Sequence, residues 1–248
     1  MQNLMTGRPN SGIYLASLLL LMLITNPALP QDDWQQTINY KLDVTLDDEA
    51  HFLRGQVTIQ YVNHSPDTLQ QLYFHCWPNA YSSKETPFAR QLLENGKTSF
   101  HFAEQEAMGF LDSLSFTSNG EPLSHRFRDP HKEIGILALE EPLPPGQRVT
   151  VRTPFRVKIP ETFSRLGHNK QAYQISQWYP KIAAYDEEGW HPMPYLNQGE
   201  YYNDFGRYEV SITLPSNYKV GATGRLQNPA EKQRLQQLSK DTREAMPF

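Results

Sequence analysis

Eight histidines and one cluster of carboxylates are where chemistry would first be sought in this chain. A zinc peptidase sets two histidines four apart on a helix, with a glutamate beside the first to activate metal-bound water. His51, His64, His75, His101, His125, His131, His168 and His191 have no such spacing, so each reads as a core or surface histidine. No Gly-x-Ser-x-Gly occurs, which removes the strand-to-helix elbow that exposes a nucleophilic serine. Gly221-Ala222-Thr223-Gly224 lacks a surrounding strand–loop–helix unit and reads as strand and turn, not as a phosphate cradle. Cys76 is the only cysteine. It lies in an aromatic run and reads as a buried, inert thiol, and no internal disulfide is possible. The carboxylates remain: Asp186, Glu187 and Glu188 beside Gly189-Trp190, with Glu200 and Asp204 in the next loop. Two carboxylates flanked by aromatic rings suit a glycoside hydrolase, and such rings could stack on sugars in a binding module. They also suit a solvated turn whose Trp and Tyr bury their area locally.

Those carboxylates lie in the most unusual stretch of the chain, residues 173–208. Ten of its 36 residues are aromatic, against 12% for the whole. It is too rich in Trp, Tyr, Pro and Gly for a helix and too apolar for a solvated linker. Compact loops and short strands with buried rings are expected.

The surrounding elements read as strands. Tyr40, Leu42, Val44 and Leu46 alternate with polar residues, as do Leu53, Val57, Ile59 and Tyr61. The same holds for Val149, Val151, Phe155, Val157 and Ile159, and again for Tyr208, Val210, Ile212 and Leu214. Period two means one face in a core and one in water, the habit of antiparallel sheets. Leu72–Trp77 is apolar on both faces and is predicted to be a central strand. Asn119-Gly120 is the strongest hairpin signal. Helix is predicted over Pro87–Leu93, stopped by Asn95-Gly96, and over Ala230–Leu238 after the cap Asn228 and Pro229. Leu235 and Leu238 are the only large apolar residues of that last helix, which makes it a surface element. The fold class that follows is all-β, mostly antiparallel and sandwich-like, with a short C-terminal helix.

A formal charge of −4 with no basic block argues against nucleic acid as a partner. Arg8 precedes a Leu-rich run from Ile13 to Ile24, and small residues and prolines follow before the polar Gln31-Asp32-Asp33. This is the layout of a secretory signal peptide over residues 1–30. It implies export to a periplasm or the exterior, or membrane anchoring if the signal is not cleaved. Residues 31–248 are then the mature part.

The ordered string Ser176-Gln177-Trp178-Tyr179-Pro180, Tyr185-Asp186, Gly189-Trp190-His191, Tyr195, Gly199-Glu200-Tyr201-Tyr202 and Asp204-Phe205-Gly206 resembles the aminopeptidase N-like zinc metallopeptidases, in particular their exported bacterial branch. Leu72–Tyr81 and Val220–Gly224 extend the resemblance to roughly residues 38–230. The resemblance implies an N-terminal, saddle-shaped β domain that walls the substrate entrance of a zinc domain following in cis. The family's zinc ligands, catalytic tyrosine and Gly-x-Met-Glu-Asn loop lie downstream, with no counterpart here. The chain is therefore expected to be an incomplete N-terminal domain, with no catalytic residue, no metal ligand and no cofactor of its own. Zinc and a peptide substrate belong to the full-length protein. One site residue carries over: Gln177 resembles the glutamine that contacts the substrate's amino end, although Tyr179 stands where many members have an acidic residue. The alternative is a stand-alone secreted β-sandwich module binding glycan or peptide without catalysis. If final strands are missing, an unpaired edge should make the chain aggregation-prone.

Overall fold

The computed structural model describes residues 34–245, with side chains through 241; the signal-peptide reading of residues 1–30 lies outside them. The first strands are β1 (Thr37–Asp47), β2 (Phe52–Val62) and β3 (Leu69–His75). Helix α1 (Pro87–Glu94) follows, then β4 (Phe110–Asp112), β5 (Thr117–Ser118), β6 (Glu121–Pro122), β7 (His125–Arg128), β8 (His131–Leu143) and β9 (Arg148–Lys158). Short strands β10 (Gly167–Asn169), β11 (Ala172–Gln174), β12 (Lys181–Ile182), β13 (Tyr185–Asp186) and β14 (Gly189–Trp190) lead to β15 (Gly206–Thr213) and helix α2 (Pro229–Ala245).

Two sheets pack face to face. The larger has the order β15-β1-β2-β9-β5-β6, with β4 also on β9, and the smaller runs β12-β3-β8-β7. The all-β, mostly antiparallel, sandwich-like reading holds. Leu42, Val57, Ile59 and Val157 of the large sheet share one core with Leu72, Phe74 and Leu137 of the small one. Alternation decides which side chains go there: along β1 Ile38, Tyr40, Leu42 and Val44 are buried while Lys41, Asp43 and Thr45 are exposed. The Asn119-Gly120 hairpin forms with both residues at positive φ, 52° and 91°. Such angles match the right-handed strand twist. α1 starts at Thr86, whose Oγ1 accepts from Ala89 N at 3.2 Å, and ends at Asn95. α2 is longer than predicted, and its leucines are only half buried. No helix among the described residues is long and apolar enough to cross a membrane.

Two expectations need correction. The run Leu72–Trp77 leaves the sheet at His75, because Pro78 has no N–H for a ladder and seeds a 3-10 turn over Trp77–Tyr81. Strand β15 is parallel to β1 rather than antiparallel. It is also exposed along its whole length: Tyr208, Val210 and Ile212 extend the apolar face of β1 but are 46%, 44% and 45% exposed.

Gly55 of β2 marks a close approach. It pairs with Phe155 across the strands, and a Cβ there would meet Asp43 O at 2.5 Å and the Phe155 ring at 2.8 Å. Gly55→Ala is expected to cost about 1–3 kcal/mol, read as a lower urea midpoint. An unchanged midpoint would show that Phe155 moves aside freely.

Candidate functional site

The aromatic stretch folds as a layer of loops stitched to the edge of the small sheet. Ser176 Oγ donates to Arg165 O at 2.6 Å and anchors its start. Gln177 follows at φ 54°, in the left-handed region that costs a non-glycine residue about 1 kcal/mol or more. The chain then passes buried Pro180 into β12, where Lys181 pairs with His75 and Ile182 with Phe74. Ala183 N donates to Tyr73 O at 2.8 Å, and Ile182 N to Tyr40 Oη at 3.1 Å.

This path buries a lysine. Lys181 is only 7% exposed. Its ammonium donates to Gln177 Oε1 and lies over the Trp77 ring, 4.0 Å from the centroid. No carboxylate among the described residues pairs with it, and burial lowers its pKa to about 7. His75 lies alongside, stacked on Trp77 at 4.3 Å. Its Nδ1 donates to Asn203 Oδ1 at 3.2 Å, and its Nε2 accepts from Met193 N at 3.2 Å. Burial, and then the Lys181 charge, push its pKa down to about 3, so the imidazole is neutral. Trp77 Nε1 donates to Met193 O at 2.9 Å. His75 and Trp77 thus grip both backbone groups of Met193.

The bonding of Gln177 determines what it can recognise. With Oε1 held by Lys181, its remaining hydrogen-bonding group is the Nε2 amide, which is not among the buried unsatisfied atoms. Two N–H donors beside a cation suit a carbonyl or carboxylate oxygen. The acidic corner does not resemble a catalytic pair. Asp186 accepts from His191 Nε2 at 2.6 Å, from Tyr202 Oη at 2.8 Å and from Glu188 N at 2.9 Å. Burial works to raise its pKa, but these bonds bring it below the usual value. Its oxygens are engaged in holding a turn. Asp204 is pushed upward, first by burial. Cys76 is fully buried and its thiol is raised to about 12, as the inert reading requires. Zinc needs three or four ligands together, and no three His, Cys, Asp or Glu side chains converge among the described residues.

Of these residues, sequence reasoning singled out Gln177 and missed Lys181. The signal was a lone lysine inside the apolar run Pro180–Ala184.

No family model matches the chain, and no curated protein matches it significantly. Similar solved structures are M1 zinc metallopeptidases. One from Deinococcus radiodurans is 15% identical, with 78% of this chain and 35% of that chain covered, at TM-score 0.43. A mutant from the same organism is 15% identical, with 82% and 37% covered, at TM-score 0.42. A two-domain M1 zinc metallopeptidase mutant bound to L-arginine is 15% identical, with 78% and 35% covered, at TM-score 0.41. The chain spans about a third of the length of these proteins.

Proposed function

We propose that this chain is a non-catalytic β domain of an exported zinc metallo-aminopeptidase, which shapes the entrance through which a peptide reaches a zinc domain in cis. The ordered aromatic string supports the family reading. The observation that carries the role is Gln177, held in a costly left-handed conformation with its Oε1 bonded to buried Lys181 and its Nε2 donors left for a partner. In the whole protein, zinc would supply an activated water for peptide hydrolysis. This chain would supply only binding and orientation.

The resemblance implies contact with the substrate's amino end. The atoms favour a different partner: below its pKa of about 7 the Lys181 ammonium beside Gln177 repels another ammonium, and Nε2 donates at any pH. We therefore assign Gln177 and Lys181 to a peptide carbonyl or carboxylate. A peptide titration followed by the Gln177 side-chain amide resonance tests this, using Tyr-Ser-Ala, the substrate named for a solved structure of similar fold, and its N-acetyl form. Both should shift the resonance equally, and Gln177→Ala should weaken binding several-fold. Loss of binding on acetylation would return the site to the amino end; no binding of either peptide would remove the role. The chain alone, supplied with zinc, should not hydrolyse an aminoacyl-nitroanilide. Chelator-sensitive turnover would overturn the non-catalytic reading.

A further inference from the structure

The outer face of the small sheet carries a second feature that the entrance reading does not use. Residues paired directly across antiparallel strands point to the same side. Tyr73 of β3 pairs with Ile136 of β8, and Ile136 pairs with Arg126 of the edge strand β7. Together they form one row across three strands. Arg128, two residues beyond Arg126, lines the same hollow. The loop from Trp190 to Met193 forms the opposite wall of an open groove of about 690 Å³.

The groove combines two chemistries. Its floor is apolar and aromatic: Ile136 is buried, and the Tyr73 and Trp190 rings lie 5.5 Å apart. Its rim is cationic. Among the described residues neither Arg126 nor Arg128 forms an ion pair, in a chain whose net charge is negative. The nearby carboxylate of Asp186 is committed to His191 and Tyr202. Two guanidinium forks match a planar carboxylate bidentately. Arginine forks pair with phosphate as well; the groove lacks the glycine-rich backbone, lysine or helix N-terminus that phosphate sites often add, which favours the carboxylate.

We propose that this groove binds a small ligand joining a carboxylate to an aromatic group, with Arg126 and Arg128 holding the carboxylate and the ring lying on Tyr73, Ile136 and Trp190. The test titrates the full chain with N-acetyl-phenylalanine, following the Trp190 indole N–H resonance. Half-saturation is expected at about 1 mM or below, and N-acetyl-phenylalanine amide should bind at least tenfold more weakly. Arg126→Gln and Arg128→Gln should each weaken binding about tenfold with an unchanged circular dichroism spectrum. Arg126→Lys should fall between, since it keeps charge but not the fork. Gln177→Ala should leave this binding unchanged, which separates the groove from the entrance site. Equal binding of the amide, tighter binding of adenosine monophosphate, indifference of a folded double Gln variant, or no shift by 20 mM would each overturn the assignment.

Discussion

Lys181→Met should stabilise the protein at neutral pH by about 1–4 kcal/mol. A buried, unpaired ammonium is one of the most expensive groups a core can hold. The lysine pKa falls from 10.5 to about 7 through burial alone, and each unit represents about 1.4 kcal/mol of differential cost. Contact with Trp77 returns about 2 kcal/mol. Methionine keeps the stem packed and the sulfur against the ring, and water can satisfy Gln177 Oε1 because Gln177 is only half buried. The sign with pH is fixed. The folded pKa lies below the unfolded one, so the unfolded chain binds the extra proton between pH 7 and 10.5, and wild-type stability climbs across that window. The gain from Lys181→Met should therefore be largest below pH 7 and vanish near pH 10.5. Urea unfolding of both proteins at pH 7 and 10.5 measures it. A variant destabilised at pH 7 would show that the ammonium is better solvated than its burial indicates. A stabilised variant would show that burying the ammonium costs the fold more than its contacts return.

That lysine marks the boundary of what the sequence made legible. β1, β2 and β9 were readable because alternation alone decides which side chains face a core, and Asn119-Gly120 and Asn228-Pro229 because their chemistry is local. Alternation does not say whether anything covers an apolar face, and so Tyr208, Val210 and Ile212 were expected inside and lie exposed. Gln177 was visible as a residue within a familiar string, but its left-handed backbone and the direction of its amide depend on Lys181. Burial of Lys181 depends in turn on His75 and Trp77, about a hundred residues earlier. Arg126 and Arg128 were not singled out, because nothing local to their strand tells of the 190–193 loop that borders the same groove.

Acid should unfold the protein with an unusually steep dependence centred on His75. Its Nδ1–H donates to Asn203, and its Nε2 lone pair takes the Met193 N–H. Adding a proton at Nε2 would set two donors against each other and place a second charge near buried Lys181. Burial is the larger cause of the low pKa and Lys181 the next. The unfolded histidine titrates near 6.5 and the folded one near 3, so the contribution of His75 to stability is complete above pH 6.5 and is lost as pH falls towards 3. The slope is about 1.4 kcal/mol per pH unit, accumulating to about 5 kcal/mol against a total of 5–15 kcal/mol for a typical domain. His51, His125 and His168 are also lowered and act in the same direction. His75→Gln can still offer an oxygen to Met193 N–H but does not titrate. It should cost stability at pH 7, where the Trp77 stack is lost, and should flatten the acid slope by about one proton. Urea midpoints from pH 7 to 4, with the His75 ring titration by NMR, decide the matter. A ring pKa above 6, or an unchanged slope in the variant, would show that His75 charges without disturbing the loop it holds. Otherwise the first consequence of acid is release of Met193, and with it the wall of the groove.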